Sequence, residues 1–143
     1  MSLPASIEVI RDYEEYTDAF LSQEVDANDF SHLDHVCVAR EIILRFDFLM
    51  AVQIFSESIH SMAMNAGASD KFNLTVTLAF MSIISERMQS GEDLEGFVKT
   101  NQDLLHTDFM EAYYTKDRLN SSKAKGIFLM PDKKGVPTSG EGE

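Results

Sequence analysis

The three prolines of this chain fall at positions 4, 131 and 137, leaving residues 5–130, 126 positions, without one. Proline locks φ and cannot donate a backbone hydrogen bond, so helical chains keep it out of their interiors. The same stretch shows no sustained apolar/polar alternation of the kind a half-buried strand needs. The two constraints leave one fold class, an all-α bundle.

Residues 7–23 predict a first, strongly acidic helix, with Ile7, Ile10, Thr17, Phe20 and Leu21 along one face. Residues 31–46 predict a second helix and 48–66 a third, ended by Gly67 where a left-handed C-cap is expected. Residues 73–89 predict a fourth. Shorter helices are expected at 93–100, 108–114 and 122–129, the last stopped by Pro131. This gives a single helical domain over residues 5–131, about six or seven helices around an antiparallel up-down core. A polar tail over residues 132–143 is expected to be disordered.

Twenty-four Asp and Glu against 12 Lys and Arg give a formal charge of −12. Nucleic acids and anionic membranes are met through basic surfaces, so neither is an expected partner. The single cysteine, Cys37, has no disulfide partner, and Met1 to Pro4 lacks the basic start of a signal peptide. A cytoplasmic location follows as the expectation. Charge is uneven: the first thirty residues carry eight acids and one Arg, whereas residues 113–134 carry six bases and two acids. Either the C-terminal segment packs near the acidic first helix, or Lys116, Arg118, Lys123 and Lys125 receive an anionic ligand.

The segment Asp29-Phe30-Ser31-His32-Leu33-Asp34-His35 carries the most chemical information. Ser31, followed three residues later by an acid, resembles a capping box. With Ser31 as N-cap, Asp34, Glu41 and Arg45 gather on one side of the second helix at about 100° per residue. The opposite side takes His32, Val36, Ala39, Ile43 and Phe46, with His35 at its edge, so both imidazoles face the core. The fourth helix likewise points Asn73 and Thr77 inward from its first turns. In an up-down-up arrangement helices two and four are parallel, so His32, His35, Asn73 and Thr77 can meet in one polar pocket. Two helix N-termini converge there; they favour an anion and hold imidazole neutral, as a general base or a metal ligand.

His32 and His35, at i and i+3, can present two nitrogens to one divalent metal, but two ligands do not make a site. Asn73 is a poor transition-metal ligand, and no Asp or Glu shares either inward stripe. His106 lies in a loop that either folds over the pocket or faces water. Of Tyr113 and Tyr114, which aim to different faces, one is expected in the core and the other closing the pocket. Cys37 reads as a small core residue and His60 as solvated.

At these residues the chain resembles a family of small uncharacterised bacterial all-α proteins, over roughly residues 30–132. Their Phe–x–His–x–x–His opening is matched by Phe30, His32 and His35, followed by Val36 and Ala39. A Tyr-His-x-Thr-x-Thr motif corresponds to Phe72, Asn73, Thr75 and Thr77. A Tyr-Tyr pair with a downstream Leu-x-Ser, a small residue and Pro-Asp is matched by Tyr113, Tyr114, Leu119, Ser121, Ala124, Pro131 and Asp132. Where that family carries a third His, this chain has Asn73. Either the family site works by hydrogen bonds alone, or this chain has lost a metal or acid/base activity its relatives keep.

Two functions follow as expectations. One is a binding protein whose pocket, drawn from His32, His35, Asn73, Thr77, Tyr113 and Tyr114, holds a small anionic molecule. The other is an enzyme using His32 or His35 as general base, with or without a divalent metal completed by water or His106. The wide apolar arcs of helices two and three suit either a central place in the bundle or a homodimer face.

Overall fold

A helix start leaves its first N–H groups unpaired, and Asp, Asn, Ser or Thr just before it can accept from them. The computed structural model, which describes residues 11–133, contains seven α-helices, and every one begins with such a side chain. They are α1 (Tyr13–Leu21), α2 (His32–Arg45), α3 (Phe48–Asn65), α4 (Leu74–Arg87), α5 (Leu94–Thr100), α6 (Lys116–Leu119) and α7 (Ser122–Gly126). Their caps are Asp12, Ser31, Asp47, Asn73, Asp93, Thr115 and Ser121. Each cap stabilises its helix by about 1 kcal/mol relative to alanine. Short 3-10 turns at Ala27–Asp29, Ser69–Lys71, Gln102–Leu105 and Phe109–Ala112 fill the connections, and no strand occurs among the described residues.

The fold is all-α, as expected, but its first helix is shorter than residues 7–23. Asp12 is extended (φ −81°, ψ 99°) and its carboxylate accepts from the Glu14 and Glu15 N–H groups. A short acidic side chain that can satisfy the backbone itself favours a cap over a helix interior. Residues 7–10 lie outside the described residues. The third helix ends as expected, with Gly67 at φ +70°, where a side chain would be strained.

Helix α2 is the central element. Val36, Cys37, Val38, Ala39, Arg40 and Ile42 are all buried, and α1, α3 and α4 all pack against it. Phe20 from α1 is fully buried between Phe30 and Phe55, with ring centroids 5.1 and 5.7 Å away. Burial of an aromatic of that size contributes about 2–3 kcal/mol. The apolar arc of the α2–α3 hairpin is split: its middle is core, whereas Leu44, Phe48, Leu49 and Met50 are exposed at its turn.

The basic C-terminal segment does not pack on the acidic first helix. It packs on α4, through α7, and α1 instead uses Asp18 and the Glu14 carbonyl to hold Arg45 at 2.7 and 2.8 Å. Residues 127–133 form neither helix nor strand and are fastened mainly by side chains. The Thr75 hydroxyl donates to the Ile127 carbonyl (2.6 Å) and accepts from the Leu129 N–H (3.1 Å). Tyr114 donates to the Leu129 carbonyl at 2.7 Å and Arg118 to that of Met130 at 2.8 Å. Asp132 and Lys133, expected in a disordered tail, are engaged too: Asp132 accepts from the Thr115 N–H and hydroxyl, and the Lys133 N–H donates to the Tyr113 carbonyl. Residues 134–143 of that tail lie outside the described residues. Among the described residues no helix is long and apolar enough to cross a membrane.

Candidate functional site

The first turn of α2 separates two polar environments. On one side stands Asp34, which its helical angle grouped with Glu41 and Arg45 and away from the core. It is instead buried, 1% exposed, because α1 lies across that side of the helix. One carboxylate oxygen accepts from the Tyr13 hydroxyl (2.5 Å) and meets the Arg11 guanidinium at 3.0 Å. The other accepts from the Ser31 N–H (2.9 Å), closing a capping box with the Ser31 hydroxyl, and from Tyr16 at 3.4 Å. Burial alone would raise the Asp34 pKa. The bonds from Tyr13 and Ser31 and the charge of Arg11 outweigh it and hold the carboxyl below its usual range. Burial and the same carboxylate push the Tyr13 hydroxyl upward. Cys37 beside them is pushed up to about 12, chiefly by burial, and is a core residue rather than a nucleophile.

On the other side a cavity of about 210 Å³ opens between the N-terminal turns of α2 and α4. His32, His35, Asn73 and Thr77 all line it, as the parallel placement of the two helices implied. The rest of the wall is mainly apolar, with Phe55, Ile59, Phe72, Val76, Phe80, Phe109 and Met110. His106, which the sequence left between pocket and solvent, does both: it is exposed and lines the rim beside Thr107.

The His32 Nε2 is buried and has no hydrogen-bond partner among the described residues. Burial is the largest influence on His32 and lowers its pKa, against a smaller upward pull from the Leu104 backbone. His35 is also lowered, again chiefly by burial. Its Nδ1 lies 3.2 Å from the Ser31 carbonyl. A carbonyl only accepts, so Nδ1 carries the proton, and the neutral ring offers a lone pair at Nε2. The rings sit 5.9 Å apart, and His32 packs 5.8 Å from Phe80. The cavity thus holds two neutral imidazoles in an apolar shell.

The remaining candidates divide. Asn73 spends both ends of its amide on the fold: its oxygen accepts from Val76 N–H (3.0 Å) and its nitrogen donates to the Leu119 carbonyl (2.7 Å). Thr77 donates back to the Asn73 carbonyl at 2.8 Å. Both are wall rather than free ligand groups. Tyr113 and Tyr114 are not in this cavity. Tyr114 is fully buried and fastens Leu129, and both tyrosines line a separate groove of about 380 Å³ with Ala79, Ile83, Phe128 and Lys133. The short turn at Phe109–Ala112 directs Phe109 and Met110 toward the histidines and Tyr113 away. Of the basic candidates, Arg118 is spent on the Met130 carbonyl, and Lys116, Lys123 and Lys125 are exposed.

As to metal, no three His, Cys, Asp or Glu side chains among the described residues are placed to hold an ion. His32 and His35 remain a pair, with Asn73 committed elsewhere and Asp34 on the far side of α2. No family model, curated protein or solved structure matches the chain.

Proposed function

We propose that this chain is a small-molecule binding protein whose site is the cavity lined by His32, His35 and the aromatic side chains around them. The observation that carries this reading is the buried His32 Nε2 without a partner. A buried polar atom left unpaired costs about 1–3 kcal/mol, and a ligand supplying the missing bond recovers it. The lone pair that His35 keeps at Nε2 favours a ligand with a hydrogen-bond donor, a hydroxyl or an N–H, on an apolar body. An anion, the partner inferred from the helix N-termini, is the less favoured ligand, because it meets the His35 lone pair and only one cation, the exposed Lys71 at the rim.

Phenol tests this directly. Its titration should move the His32 and His35 imidazole nitrogen resonances, and His32→Phe should abolish saturable binding. Formate provides the anionic arm of the same experiment. Binding of phenol unaffected by His32→Phe would refute the assignment, as would tighter binding of formate than of phenol. Acid–base catalysis is the second reading, favoured by the neutral state of both imidazoles, either of which can take a proton from a bound donor. It uses the same site and adds turnover to binding.

A further inference from the structure

The histidine cavity and the tyrosine-lined groove lie on neighbouring faces of α4 and share one wall residue, Met110. Along α4 the first is walled by Asn73, Val76, Thr77 and Phe80, the second by Ala79, Ser82 and Ile83. Along the opposite wall the order is Phe109 and Met110, then Met110, Tyr113 and Tyr114. Met110 belongs to both and is their partition. Their polarity differs: two imidazoles stand in the first, whereas the Tyr114 hydroxyl in the second is already spent on the Leu129 carbonyl. Methionine, unbranched and flexible, is the apolar side chain that most readily yields a passage.

We propose that the two cavities form one site for an amphiphilic small molecule, its hydrogen-bond-donating head against His32 and His35 and its unbranched aliphatic tail passing Met110 into the groove of Ala79, Ile83, Tyr113 and Phe128. This rests on the binding role assigned to the histidine cavity and adds the class of ligand. The tail must be narrow because it passes between α4 and the Phe109–Ala112 turn. The head belongs at the histidines because the groove is lined mainly by Ala79, Ile83, Met110, Phe128 and Pro131, and its buried Tyr114 hydroxyl is already bonded to the Leu129 carbonyl.

The test uses primary alcohols from butanol to decanol on the full chain, with affinity from calorimetry and head position from the His32 and His35 imidazole nitrogen resonances. Each added methylene should tighten binding about threefold to fourfold until the groove is filled, with the same two imidazoles perturbed throughout. Ile83→Gln, at a half-buried position in the groove, should flatten the gain with chain length. Met110→Trp, which blocks the passage, should do the same if it folds. Butanol that perturbs the imidazoles without any gain for the longer alcohols would overturn the joined site and leave the binding role intact. Decanol that binds without touching His32 or His35 would also overturn it. No saturable imidazole response to any alcohol, together with none to phenol, would remove the underlying binding role itself.

Discussion

Asp34 and His32 sit two residues apart on the first turn of α2, both turned away from water, and they differ in one respect. The carboxylate has four partners and the imidazole Nε2 has none among the described residues. A saturated buried group contributes to the fold; an unsaturated one costs stability and is retained where something else uses it. The contrast marks the α1 side of the turn as structural and is the ground for the binding role proposed on the α4 side, although both sides carry ionisable residues in the same few positions.

The sharpest way to break this contrast is Asp34→Ala. It strands Tyr13, Arg11 and the Ser31 N–H at once, and we expect a loss of about 3 kcal/mol in urea unfolding. Equal stability of that variant and the parent would mean that the network is ornamental. Asn73→Ala comes next, at about 1–2 kcal/mol, since it removes the α4 cap and the bond to Leu119. His32→Phe should go the other way, between no change and a gain of about 1 kcal/mol, because an unpaired polar atom leaves an apolar shell. A loss above 2 kcal/mol there would show that His32 is structural after all.

The smallest effect separates the two sides by pH. His32 and His35 are held below the ordinary histidine value of 6.5 by burial, so below that pH the unfolded chain binds protons that the folded chain resists. Stability should fall as pH drops beneath about 6.5. Asp34 is also lowered, from 3.8, so its contribution persists to lower pH and is lost only beneath that value. Urea midpoints across this range should show two descents. His32→Phe combined with His35→Phe should erase the upper one and leave the lower.

Much of this was legible in residue order. Ser31, Gly67 and Asn73 mark helix boundaries because capping is local, and the inward stripes of helices two and four brought His32, His35, Asn73 and Thr77 to one cavity. What escaped was set by partners distant in sequence. Helical angle put Asp34 opposite the histidines, correctly, but only the position of α1 decides that this side is also buried. Asp12 was read as interior because an acidic amphipathic run does not announce its first residue. The tyrosine pair was divided from the histidines by a 3-10 turn at Phe109–Ala112, whose tighter winding rotates the side chains that follow. Charge offers either the acidic first helix or an anionic ligand as partner of the basic segment, whereas Thr75, a neutral hydroxyl inside α4, is what holds Ile127 and Leu129.

That hydroxyl has a consequence for the order in which the protein can be made. Its two partners lie 52 and 54 positions further along the chain, so a ribosome must add three further helices before Thr75 can be satisfied. No residue beyond Met110 lines the histidine cavity, and its wall residue Asn73 is fastened at Leu119, but the groove beside it has Phe128 and Pro131 in its wall. A nascent chain therefore completes the two compartments at different times, the polar one first.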